Sequence, residues 1–229
     1  MTSSKKLIVD TIIEKGGVKR KVYKNTIEKF RLFKDAAQSL TEEIQEKVHK
    51  KNPEIPVKFI DKAAFEFHIQ VAGDILVFLM HTNVFDFDKS HMIWKLPYVN
   101  KNPNNAYCGM IQVYNFLADS FKFNRENDLG YMVARIFINR ESHYFVEGKR
   151  QLGYLYNNFS EEKITKTKAA KIIESAILYA LDFDLLTPPY DAVSVVSLSQ
   201  ISDASRALRV KTAKRLGFQF SKENDVDIE

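Results

Sequence analysis

The sequence predicts an α+β fold: a largely antiparallel sheet built from two β-hairpins, packed with a long N-terminal helix, a central helix and C-terminal helices. Three observations predict it. A helical apolar period runs through residues 25–51, a period of two runs through residues 65–81, and two further β-rich runs fill residues 131–149. Helices and hairpins come in groups rather than in strict alternation, which disfavours a doubly wound parallel sheet.

In the first segment Phe30, Phe33, Ala37, Leu40, Ile44 and Val48 recur at steps of three and four, an amphipathic helix that ends before Pro53. Asn25, with Glu28 three residues on, reads as its N-cap. From Val57 the period is two, and Ala72 with Gly73 supplies a tight turn. That turn pairs Val71 with Asp74 and places Phe65, Phe67 and Ile69 on one face with Leu76, Phe78 and Met80. Tyr107, Met110, Tyr114, Leu117 and Phe121 are spaced 3, 4, 3 and 4 apart, which predicts a buried central helix.

The runs on either side of Arg140 and Glu141 predict the second hairpin, apolar on both faces and therefore central in a covered sheet. Ser160 caps a following helix whose stripe is Ile172, Ile173, Ala176, Ile177 and Ala180, stopped by Pro188 and Pro189. The run from Ala192 to Leu198 reads as a further strand, and Ser202 or Asp203 as the cap of a last helix.

The organisation expected is a basic N-terminal segment over residues 1–24, a single α+β domain over 25–220 and an acidic flexible tail over 221–229. An apolar content of 45% with 28% charged residues argues against a disordered body. No window approaches the ~20 apolar residues that span a bilayer. The single cysteine, Cys108, forms no internal disulfide and sits in an apolar pattern, so a reducing cytoplasm is the expected location. The formal net charge of +5 is a mild excess, concentrated at Lys19, Arg20, Lys21 and Lys24 and again near the end of the chain.

Local catalytic signatures with short fixed spacing are absent: no phosphate loop, GxGxxG, HExxH or GxSxG, and no zinc-spaced pair. Three weaker constellations remain. Asp128 with Glu147 and Lys149 has the residue types of a metal-dependent nuclease, in which paired carboxylates hold the ion and lysine assists at the phosphate. A two-residue turn would put Glu147 opposite Ala134 and leave Asp128 roughly 20 Å away. Glu66, His68 and His81 offer carboxylate and imidazole to a metal from the first hairpin, with Asp86, Asp88 and His91 in the next loop. Arg206, Arg209, Lys211 and Lys214 spread around a narrow apolar stripe of Leu208, Thr212 and Leu216, so that helix offers a basic face to phosphates.

His143 among apolar neighbours reads as a hydrogen-bonded core residue opposite Ile138, and Arg135 as the partner of a buried carboxylate such as Asp119 or Asp128. Arg135 with Arg150 is the alternative anion holder. The function expected is that of a non-enzymatic cytoplasmic binding or interaction protein whose partner is anionic, nucleic acid above all, with a homo-oligomer as a further option. Its rivals are a metal-dependent hydrolase or nuclease, and a small-molecule sensor with a pocket near Trp94, Tyr107 and Tyr114. The sequence does not identify a cofactor.

Overall fold

The computed structural model describes residues 3–149 and 151–207, leaving out the side chains of 151, 154 and 203–207. Helix α1 (Ser3–Thr11) runs through a π turn (Ile12–Gly16) into α2 (Gly17–His49). A six-stranded antiparallel meander follows in the order β1 (Val57–Ala63), β2 (Glu66–Val71), β3 (Asp74–Met80), β4 (Cys108–Leu117), β5 (Tyr131–Asn139), β6 (Tyr144–Gly148). Short helices α3 (Pro97–Lys101) and α4 (Ala118–Lys122) flank β4, and α5 (Gln151–Leu155) follows β6. Helix α6 (Lys166–Leu181), then α7 (Tyr190–Val193) and α8 (Leu198–Ala207) complete the described chain.

Helix α2 starts earlier than the capping pattern predicts. Its buried stripe, Val22, Thr26, Phe30, Phe33, Ala37, extends a full turn N-terminal of Asn25. Asn25 is therefore interior to the helix, and its amide donates to the carbonyl of Arg140 in the β5–β6 turn. The boundary between residues 24 and 25 marks a change of charge, with no break in the backbone.

The first hairpin pairs Val71 with Asp74 and Phe67 with Phe78 across a turn in which Ala72 takes a positive φ of 49°. Beside it, β4 occupies the segment expected to be the central helix. Its Ile111 and Val113 face the helices while Cys108 and Met110 pack into the cluster on the other side. Buried on both faces, such a strand reads as a continuous apolar run, and a helical spacing can be picked from it by chance.

The second hairpin is one residue out of the expected register. Asn139 Oδ1 accepts from the Glu141 and His143 amides at 2.9 and 3.0 Å, and Ser142 takes φ 65°, making a three-residue loop. Glu147 consequently lies opposite Arg135 rather than Ala134, and Tyr144 rather than His143 opposite Ile138. Strand β6 is an edge strand, not a central one. Its free side is covered because the Tyr144 and Val146 amides donate to the carbonyls of Glu162 and Tyr156.

Helices α2 and α6 pack side by side on one face, closing a core of Phe30, Phe33, Phe67, Phe78, Ile136 and Ile172. A smaller cluster on the opposite face joins Ile93, Val99, Phe137, Phe145 and Phe159 under residues 85–106. Helix α6 is capped by Thr165, whose hydroxyl accepts from the Lys168 amide at 3.3 Å, so Ser160 is not its cap. It ends at Leu181, seven residues before Pro188. Residues 192–198 form no strand, and α8 begins after Ser197, whose Oγ accepts from the Gln200 amide at 3.1 Å.

Candidate functional site

Charge is distributed along the chain very unevenly. Residues 1–24 hold seven basic and two acidic side chains, and the remainder balances at 27 against 27, so this segment carries the whole formal net charge of +5. Its helix leaves the body early. Residues 3–17 are all exposed, and Val22 is the first buried residue.

At 100° per residue, Arg20, Lys21, Lys24 and Arg31 all lie roughly 120° or more from the centre of the buried stripe of α2. These four cations point away from the sheet, are exposed, and make no ion pair among the described residues, while Glu28, paired with Lys29, shares their face between Lys24 and Arg31. From Arg20 to Arg31 the stripe is roughly 16 Å long. Lys19, on the inner side, instead lies over the ring of Tyr107, 5.6 Å from its centre.

The first hairpin brings together two of its three expected polar residues. His68 is 2% exposed, and its Nε2 lies 2.6 Å from Glu66 Oε1. The Phe121 ring packs against the imidazole at 5.2 Å, and His68 Nδ1 has no hydrogen-bond partner. His81 lies beyond the end of β3, its Nδ1 accepting from the Asn83 amide at 3.0 Å and its ring against Phe85. Among the described residues no three His, Cys, Asp or Glu side chains are grouped to hold a metal.

Burial lowers the His68 pKa, opposed in part by Glu66. The folded state therefore binds fewer protons at this site than the unfolded state, whose histidine titrates near ~6.5. Stability contributed by neutral His68 is present above that pH and is lost as pH falls below it toward the depressed folded pKa. Urea unfolding across pH 5–7 is expected to show a shallower acid-side loss in His68→Gln than in the parent. Equal slopes would place the linkage elsewhere.

Glu147 belongs to a different network. Its Oε2 accepts from Arg135 and its Oε1 lies 3.2 Å from His91 Nε2. His91 Nδ1 accepts from the Ile93 amide at 3.2 Å, so Nε2 carries the proton and donates to Glu147. Both imidazole nitrogens and both carboxylate oxygens are thus engaged, an arrangement that ties the 85–106 segment to the sheet. Next to it lies a cavity of about 320 Å³ lined by Met92, Ile93, Leu96, Phe145 and Phe159.

Asp128 is elsewhere, buried with Arg125 at 3.0 Å and accepting from Ser120 at 2.8 Å, so it shares no site with Glu147. Lys149 follows β6, where its amide donates to Val133. Arg135 takes Glu147 in place of the expected Asp119 or Asp128. The one-residue register shift hid that pair, and the loop that delivers His91 has no local sequence signal.

His143 is the satisfied core residue expected, with Nδ1 2.9 Å from the Phe159 carbonyl and its ring stacked on Tyr98. Burial pushes the Cys108 thiol well above its ordinary pKa, which leaves it an inert core group. Trp94 donates to the Phe87 carbonyl beneath the Lys89 ammonium, while Tyr114 accepts from Gln112 and Tyr107 faces Lys19. These three rings do not line the 320 Å³ cavity. Of the C-terminal basic residues, Arg206 falls in α8 with its side chain not described, and Arg209, Lys211 and Lys214 lie outside the described residues, as does Arg150. No helix among the described residues is long and apolar enough to cross a membrane. No known protein family, curated protein or solved structure matches the chain.

Proposed function

We propose that the chain is a non-enzymatic cytoplasmic binding protein that holds an anionic partner, nucleic acid, on the outward face of its N-terminal helix. The observation that carries this reading is the stripe of Arg20, Lys21, Lys24 and Arg31, without ion pairs among the described residues, three of whose four members lie in the segment that holds the chain's net charge. Four cations on one rigid helix are pre-positioned for phosphates, and binding releases the counterions that a polyanion condenses. The C-terminal basic residues Arg206, Arg209, Lys211 and Lys214 would add to the same attraction.

Fluorescence anisotropy with labelled duplex and single-stranded oligonucleotides tests it. Four phosphate contacts predict a log-log salt dependence near about −3.6 on duplex and about −2.8 on single strands. Reversing the stripe (R20E/K21E/K24E/R31E) is expected to weaken binding at least tenfold at low salt. Because these side chains are exposed, unfolding stability should change by less than about 1 kcal/mol. Absence of binding at low salt, or an unchanged affinity in the variant, refutes the proposal.

A second reading, a small-molecule sensor, is favoured by the cavity of about 320 Å³ beside His91 and Glu147. Its mostly apolar lining and few polar groups are typical of ligand sites.

A further inference from the structure

Two stretches near the two ends of the described chain leave large apolar side chains in solvent. On the N-terminal arm, the wholly exposed residues 3–17, Leu7, Ile8, Ile12 and Ile13 are 56–68% exposed, and a shallow groove runs past Thr11, Lys15 and Gly16. Beyond α6, Tyr190, Val195 and Leu198 are 80–89% exposed, with five more apolar residues of 185–201 uncovered. Neither α1 nor α7 buries a single residue. Together these side chains expose on the order of 1,000 Å² per chain, against about 800 Å² per partner in a standard stable interface.

Charge also distinguishes the two stretches. Between Lys171 and Arg206 the chain has no basic residue and five acidic ones, Glu174, Asp182, Asp184, Asp191 and Asp203. Contact between two C-terminal stretches would oppose like charges. Contact of an arm with a C-terminal stretch sets Lys5, Lys6 and Lys15, which outnumber Asp10 and Glu14 on the arm, beside an apolar stretch whose charged residues are all acidic. Within one chain both remain exposed, so they do not cover each other in cis.

We propose that the arm of one copy docks on residues 182–202 of a second copy, and reciprocally, forming a two-fold homodimer. The apolar residues used, Leu7 to Ile13, precede the Arg20 to Arg31 stripe, so this interface and the nucleic-acid reading stand or fall separately.

Sedimentation velocity on the full chain is expected to show a species of twice the 26.5 kDa chain mass at micromolar concentrations. I8E/I12E should sediment as a monomer with an unchanged circular dichroism spectrum. K5E/K6E/K15E and D184K/D191K should each weaken dimerisation at least tenfold, and the two sets combined should restore it. A monomeric parent chain at 100 µM (roughly the upper range in which weak dimers are still detected) overturns the proposal. So does a dimer indifferent to D184K/D191K, which would mean arm-to-arm pairing, or a combined variant that fails to recover.

Discussion

Replacing Phe67 by alanine is expected to lower the unfolding free energy by about 3–5 kcal/mol. Phe67 is fully buried, stacks on Phe78 with ring centres 4.6 Å apart, and touches Phe30 and Phe59 at 5.4 and 5.6 Å. Its neighbours come from α2, β1 and β3 at once, so no single element can move in to fill the space. The cost therefore combines lost burial with a residual cavity. Urea denaturation of the two proteins measures it, and a loss below about 1 kcal/mol would show a face more forgiving than the packing implies.

Gly109→Ala is the second severe change, by the opposite mechanism. A Cβ at Gly109 would sit 2.0 Å from Thr26 Oγ1 and 2.8 Å from both Thr26 Cβ and Cγ2. Rotating the threonine cannot relieve the Cβ contact, and its hydroxyl is already committed to the Val22 carbonyl at 2.8 Å. Helix α2 must retreat from β4, and overpacking of that kind costs about 3 kcal/mol at the upper end of the usual range. Thr26→Ala leaves the Cβ clash and should rescue only in part. Thr26→Gly removes it, so a double-mutant cycle by denaturant unfolding should return a favourable coupling of about 1–3 kcal/mol. No coupling would mean that the two elements are not pressed together here.

How much was legible in the chain depended on whether the deciding interaction is local. The first hairpin could be read because its alternation and its Ala72–Gly73 turn lie within one short stretch, and the pairing of Val71 with Asp74 follows from the turn. The second slipped by one residue because the Asn139 side chain, invisible to any periodicity, builds the loop. Strand β4 was misread because burial on both faces erases the alternation that marks a strand. At the sites, the Glu66–His68 contact follows from their spacing of two along one strand face. The His91–Glu147–Arg135 network joins a loop to two strands across more than fifty residues, and nothing in the local sequence announces it. The basic residues near the start could be counted, whereas their outward direction depends on which side of α2 meets the sheet.

The meander has a consequence for how the chain acquires its shape. Every strand pairs with its sequence neighbour, so the sheet can grow by closures between consecutive strands, the longest spanning the connection from Met80 to Cys108. The two helices that cover its inner face are separated by the entire sheet: α2 precedes β1 and α6 follows β6. During synthesis at about 5–20 residues per second, the 33 residues from Lys149 through Leu181 take roughly two to seven seconds to appear. Throughout that interval the strip destined for Ile172, Ile173 and Ala176 is open to water, and it is then that a holding chaperone would find this chain.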